Sequence, residues 1–352
     1  MRDNTIWSTI LTLAILGFVV PAHAQSNLLP ADIFDLSEWN ITVPVDKNKD
    51  KKPDTVSVKK LKKYSHPDFF YLDENNHLVF TAPNKAATTP NSTNTRSELR
   101  QMLRGKKTNH KTHSAKNNFT VEARKGSDKF ARIGGRLDAT VKVDHVARNA
   151  GNPDAKAAYS AVVGQIHAVK YDNTKSGFGY GNEPIKIYYK KFPNHNYGSV
   201  FWTYERNLAK DDENRTDLAY PVFGTTWASS EEPELAGIKL GEKFSYSINV
   251  HRNTMYLAFS NERHGTKTFT KSLVHNVDPN GKRDLLDNKY SYGGDALYFK
   301  AGVYNQCSAI SDGKPSRAAC TGTGNWETDK ANGDYAQATF SKLIVGESTP
   351  VQ

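Results

Sequence analysis

Short alternations of apolar and polar residues recur along this chain, while sustained helical periodicity is scarce. No long stretch repeats apolar residues at i, i+3, i+4 and i+7. Instead Phe119 to Ala123, Arg136 to Val143, Ile185 to Lys190, Phe244 to Val250, Tyr256 to Ser260 and Tyr298 to Val303 alternate or are rich in β-branched and aromatic residues. Such runs suit strands with one face turned inward. Turn-rich stretches such as Asn149 to Pro153 and Asp278 to Gly281 separate them. The pattern predicts an all-β protein, a jelly roll or β-sandwich of two antiparallel sheets. With neither an internal repeat nor a linker, one domain is expected.

Three segments stand outside the alternation. Gly105 to Asn118 is basic and carries histidines, and Glu205 to Glu234 is long, polar and weakly patterned. Loops of that length in a compact domain are usually functional or mobile, and either could cover a groove. Asp46 to Asp54 reads DKNKDKKPD, with Asp46, Asn48, Asp50 and Asp54 at positions reminiscent of a calcium loop. Lys51 stands where that loop needs glycine and Ser57 where it needs glutamate, so a solvated hairpin is the better reading.

Arg2, the largely apolar run Ile6 to Val20 and the small-x-small tripeptide Ala22-His23-Ala24 predict a cleaved export signal over residues 1–24. The run is short and wrongly flanked for a membrane anchor. The mature chain would be 25–352, secreted or periplasmic, with its core over about 34–346. A net charge of +10 on an exported protein favours a polyanionic partner. No nucleic-acid module is present, which turns that expectation toward an acidic polysaccharide, with a monomer as the default state. Cys307 and Cys320 are the only cysteines, and export favours a disulfide between them over two free thiols. Gly313 and Pro315 place a loop between them.

Residues at i, i+2 and i+4 of a strand share a face. Arg96, Glu98 and Arg100 then fall together, with Leu99 opposed, and Gln165 pairs with His167 around an inward Ile166. Lys186, Tyr188 and Lys190 align opposite Ile185 and Ile187. Tyr298, Lys300, Gly302, Tyr304 and Gln306 align opposite Phe299, Ala301 and Val303. Each set alone is what a half-solvated sheet shows. Repeated Tyr, Gln, His and Arg differ from the usual Lys, Glu, Thr and Ser of such a face, and suit a groove that grips carboxylated sugars.

RSELR at Arg96 to Arg100, QIH at Gln165 to His167 and YFKAGVYNQ at Tyr298 to Gln306, in that order, resemble the signature segments of the alginate lyases of polysaccharide lyase family seven. Phe34 to Trp39 and the closing run Ala338 to Val345 resemble that family's domain ends, so the likeness spans roughly Phe34 to Gly346. The resemblance implies a β-jelly roll with a concave groove and β-elimination of alginate, a 1,4-linked polymer of the C5 epimers mannuronate (M) and guluronate (G). It implies Arg96 and Gln165 as neutralisers of the substrate carboxylate, Tyr304 as general acid, and His167 as neutral base or carboxylate stabiliser. Glu98, Arg100, Lys186, Tyr188, Lys190, Tyr298, Lys300 and Gln306 would position the chain, with Glu98 orienting Arg96 and Arg100. No cofactor or metal enters this scheme. In that family an isoleucine within QIH accompanies action on G-containing blocks, and an open groove implies internal cutting.

Two rival readings remain at this point. A sandwich-fold glycoside hydrolase would need two carboxyl groups flanking the bond, and the conspicuous segments hold one acid, Glu98. A non-catalytic polyuronate-binding module would need the basic and aromatic groups but not His167 together with Tyr304.

Overall fold

The computed structural model describes residues 28–171, 176–310 and 317–351. Strands dominate them and build two sheets. Numbered in chain order, the ten-stranded sheet runs β12 (Asp217–Phe223), β11 (Ser199–Glu205), β10 (Ile185–Lys190), β9 (Ser160–Ala168), β16 (Leu297–Asn305), β5 (Arg96–Gln101), β1 (Trp39–Thr42) and β2 (Thr55–Val56). The two-residue strands β6 (Phe119–Thr120) and β7 (Arg132–Ile133) lie off this path. The seven-stranded sheet runs β15 (Gly265–Ser272), β14 (Thr254–Asn261), β13 (Lys243–His251), β8 (Gly135–His145), β17 (Tyr335–Gly346), β4 (Leu78–Pro83) and β3 (Phe70–Leu72). Every pairing is antiparallel except β6 with β7. Among the described residues three short α-helices, α1 (Pro30–Ile33), α2 (Val58–Leu61) and α3 (Trp326–Asn332), and three single turns of 3-10 helix complete the elements.

Alternation explains the packing. In β8 Leu137, Ala139, Val141 and Val143 are buried while Arg136, Asp138, Thr140 and Lys142 lie nearer solvent. Leu99, Ile166, Ile185, Ile187, Phe299, Ala301 and Val303 all enter the core between the sheets, as their alternation predicts. They meet Val141, Phe244, Ile248 and Phe340 of the second sheet. The result is a β-sandwich of jelly-roll type, and the opposite face of the ten-stranded sheet is left for the polar side chains.

Two glycines permit this arrangement. A Cβ on Gly164 of β9 would sit 2.5 Å from the Tyr246 hydroxyl, which donates to the Val163 carbonyl at 3.0 Å. Gly302 of β16 has φ +132°, and a Cβ there would meet the Ser97 carbonyl at 2.6 Å. Beside it the β16–β9 register shifts between Ala301 and Tyr304, which brings Tyr304 opposite Val162.

Three expectations are refined. The run from Phe119 to Ala123 contributes only the two-residue β6, because the chain turns back at Val121, whose carbonyl accepts from Arg124. Within Glu205 to Glu234 lies a true strand, β12, on the sheet edge; Pro221 interrupts its pattern, which an edge tolerates. Asp46 to Asp54 forms a hairpin whose Asp46 carboxylate accepts the backbone N–H groups of Asp50 (3.0 Å) and Lys51 (2.8 Å).

Cys307 and Cys320 are disulfide-bonded across a Cα separation of 5.5 Å, packed among Ala147, Ala155, Ala158 and Tyr159. The export segment 1–24 and the loop residues Gly313 and Pro315 lie outside the described residues.

Candidate active site

Strand register assembles the site. β16 is central, with β5 on one side and β9 on the other. Tyr304 stands opposite Arg96, Lys300 opposite both Arg100 and Gln165, and Tyr298 opposite His167. Gln165 in turn stands opposite Lys186, and Lys186 opposite Thr203. Four segments far apart in sequence thus place their polar faces in one lateral row.

Glu98 is the first hub, and it is only 2% exposed. It accepts from Arg96 (Nη1 at 3.5 Å), from the Gln165 amide and from the Lys300 ammonium. Burial lowers the Lys300 pKa to about 8 although Glu98 opposes the shift. Arg96 Nε and Gln165 Oε1 are buried without a partner. Buried polar groups are ordinarily satisfied, so a donor and an acceptor left open on two side chains that both contact Glu98 are available to what binds this face. Sequence alternation placed Arg100 beside Glu98; the structure instead directs it to Asn118 Oδ1 (2.7 Å) and the Thr112 carbonyl (3.1 Å), with its guanidinium 3.9 Å over the Tyr298 ring. Glu98 therefore orients Arg96, Gln165 and Lys300 but not Arg100.

Tyr304 lies under the Arg96 guanidinium, 4.2 Å from the ring centroid, and its hydroxyl is 2.9 Å from Ser92 Oγ. Lys300 Nζ lies 5.6 Å from the same ring. His167 stacks on Tyr298 at 5.3 Å between centroids. Its Nδ1 is 2.6 Å from the Ala168 carbonyl and its Nε2 3.2 Å from Glu183 Oε1. Burial holds the imidazole below its ordinary pKa, Glu183 opposes this, and Lys300 reinforces it. A neutral ring has one N–H. Donated from Nδ1 to Ala168, it leaves a lone pair on Nε2.

Glu183 is the second hub, and no sequence motif pointed to it. Besides His167 it pairs with Lys186 (3.4 Å), which also pairs with Asp217 (3.0 Å). Burial opposes the Glu183 charge, but Lys186 and His167 outweigh it and hold its carboxyl below the usual range. Glu205 accepts the Glu183 backbone N–H at 3.0 Å and pairs with Arg215 at 2.7 Å. Ser92, Glu183, Glu205, Asp217 and Arg215 all come from loops or strand ends, where periodicity carries no information.

Several expected substrate-binding groups are occupied within the protein. Lys186 is held by its two carboxylates, which outweigh burial and raise its pKa. Lys190, expected to position the substrate chain, is bound within the protein. It is 5% exposed, and its ammonium donates to the carbonyls of Ala158 (2.7 Å), Ala155 (3.3 Å) and Lys156 (3.5 Å). Tyr188 stacks on Phe201 at 5.0 Å beneath the edge of Trp227, and burial pushes its phenol up. Trp227 belongs to the segment following β12, so part of the long 205–234 region does sit against the site face. Gln306 lies just past β16 and donates to the Tyr304 carbonyl at 3.3 Å.

A jelly-roll sandwich whose outer face gathers guanidinium, amide, imidazole and phenol groups around buried carboxylates has the makings of a polysaccharide lyase. The chain belongs to the alginate lyase family, whose pattern matches residues 34–347. It is 35% identical over 344 residues to an alginate lyase of Klebsiella pneumoniae, covering 96% of each chain. The crystal structure of the alginate lyase from Klebsiella pneumoniae superposes with a TM-score of 0.70 at 33% identity, over 92% of this chain and 99% of that one. An exolytic family-seven alginate lyase from Zobellia galactanivorans superposes with a TM-score of 0.72 at 34% identity, with the same coverage of both chains.

Proposed function

We propose that this protein depolymerises alginate by β-elimination, with Arg96, Gln165, His167 and Tyr304 as the reacting set. The observation that carries the proposal is their assembly in register on one sheet face, around Glu98, in a chain of the alginate lyase family. Elimination removes the proton on C5, α to a carboxylate, and expels the oxygen on C4. The carboxylate's charge opposes the carbanion, so it must be neutralised as charge builds. Arg96 supplies a cation, and the Gln165 amide keeps a second N–H beyond the one given to Glu98. Tyr304 delivers a proton to the departing oxygen.

The base depends on the sugar. In M the C5 proton is on the side of the departing oxygen, so Tyr304 as the phenolate can take that proton and pass it to the oxygen. In G it is on the opposite side, where His167 Nε2 takes it. Glu183 then faces the newly formed imidazolium and stabilises it. We read G-containing blocks as preferred, supported by Ile166 within the QIH segment and by this base.

Internal cutting is our first reading. The polar row from Arg100 to Thr203 crosses five strands, about 19 Å at the usual strand spacing, which is room for a chain rather than one terminal unit. Terminal cutting is the second, favoured by the exolytic relative at 34% identity. We also propose export, with a mature N-terminus at Gln25 that the intact mass of the released protein would show.

The test mixes purified protein with M-rich and G-rich alginate and follows absorbance near 235 nm from the unsaturated product, with product sizes taken early in the reaction. Rising absorbance with early mid-sized products supports lyase action and internal cutting. Early monomer or dimer alone transfers the protein to the terminal mode. Silence on both polymers from a folded sample removes the proposed function.

A further inference from the structure

The positive charge of this chain is concentrated. Residues 46–63 and 102–118 together hold thirteen Lys and Arg against three Asp, which equals the whole net charge of +10; the rest of the sequence is balanced. The fold brings these segments to one edge of the ten-stranded sheet. β1 pairs with β2 and with β5; the first segment joins β1 to β2 and continues into α2, and the second follows β5. Trp39 stands opposite Gln101, so α2 and the loop after β5 share one end of this edge.

Lys59, Lys60, Lys62, Lys63, Lys106 and Lys107 are exposed there. Lys62 crowds Lys106, and Lys59 adds to it, so that the Lys106 ammonium falls below the usual lysine range. Among the described residues no carboxylate lies within ion-pair distance of any of these six; the paired lysines are Lys142, Lys186 and Lys300. Crowding like charges without partners costs stability, and the loop is built to hold them so. Asn118 donates to the carbonyls of Thr112 (3.0 Å) and Ser114 (2.7 Å), and Asn117 donates to Thr112 (2.8 Å) and accepts from the Arg104 backbone (3.1 Å). The same loop accepts Arg100, which lies against Tyr298, which stacks on His167. The loop that carries Lys106 and Lys107 is thus joined to the reacting groups through Arg100 and Tyr298.

We propose that the lysines of α2 and of the loop after β5 form a second, non-catalytic binding surface for a polyuronate chain, holding polymer beside the catalytic face. This rests on the proposed lyase function. It assigns work to charges that the reaction does not use. A polymer with one carboxylate per sugar matches a row of unpaired ammonium groups, and its attraction is long-ranged and weakened by salt. An anionic membrane is the less suited partner, because neither lysine-bearing segment carries an exposed large apolar side chain to enter it.

The test replaces Lys59, Lys62 and Lys106 together by Gln, beside a control with the exposed Lys243, Lys267 and Lys330 replaced by Gln. Kinetics are measured on G-rich polymer and on short G oligomers across a salt series. Retention on immobilised polyguluronate is measured in a Tyr304→Phe background, so that binding is read without cleavage. For the first triple we expect kcat unchanged on both substrates and KM unchanged on oligomers. KM on polymer at low salt rises about three- to tenfold, with a flatter salt dependence and earlier elution. Substitution of the three by Arg restores the parent values. Equal effects of both triples, or no effect of the first, overturn the second surface while leaving the lyase reading intact. Binding of the parent to anionic phospholipid vesicles but not to polyguluronate overturns it in favour of a membrane. Absence of any cleavage by the parent strikes the lyase reading instead.

Discussion

The two halves of the site face are both built around a buried carboxylate, yet their charge balance differs. Around Glu98 stand Arg96, Arg100 and Lys300, an excess of cations. Around Glu183 stand Lys186 and Arg215 against Glu183 and Asp217, a balanced set, because burial and the neighbouring Glu183 raise the Glu205 carboxyl well above the usual range and keep it protonated. The excess of positive charge thus lies on the Glu98 side of the reacting groups. In the proposed mechanism the substrate carboxylate belongs in the positive half and the proton taken from C5 moves to the half that holds Glu183. Buried hubs of this kind hold side chains in one geometry, and the surrounding charge decides what each half accepts.

The largest test of this division is Tyr304→Phe, which keeps the ring beneath Arg96 but removes the proton donor near Ser92. Cleavage of M and G blocks is expected to fall about 10²- to 10⁴-fold, with fold and alginate binding preserved by circular dichroism and retention. Near-normal rates would take the acid out of the scheme. Arg96→Ala comes next, with turnover down about 10²-fold and KM little changed, since neutralisation matters most as charge develops. A rise in KM alone would make Arg96 a binding group and blur the distinction between the halves.

His167→Asn addresses the Glu183 half and is expected to depend on substrate, with G blocks losing about 10²-fold and M blocks clearly less. Equal losses would recast His167 as a carboxylate-orienting group. Glu183→Gln should act through His167, lowering G-block rates about tenfold. The sign of its pH effect is set by removing the group that opposes burial. His167 loses its stabilising carboxylate, its pKa falls further, and the acid limb of kcat/KM on G blocks moves to lower pH. A limb that stays put or moves up separates Glu183 from the base.

The smallest catalytic effect is expected outside both halves. Lys190→Met should leave kcat and KM on alginate unchanged but cost about 1–3 kcal/mol of stability, by stranding carbonyls that the ammonium now serves. Calorimetry and initial rates on the same sample would check it. A raised KM with unchanged stability would return Lys190 to the substrate.

What the sequence determined by itself was the set of faces. Period-two alternation is a local property, so Leu99, Ile166, Ile187 and Phe299 point inward and Arg96, Gln165, His167 and Tyr304 outward without reference to any partner strand. The motif segments name the reacting types for the same reason, since each lies within one strand. Only the tertiary structure decided which groups meet and which remain available. Glu183 reaches His167 because a strand end is placed by the sheet, and no periodicity marks it. Lys186, Lys190 and Arg100 share the outer face as alternation requires, yet each is consumed by a carboxylate or carbonyl arriving from elsewhere in the chain. Side-chain direction is fixed by local backbone geometry, whereas the partner of a buried charge is fixed by whatever long-range packing brings within about 3 Å of it.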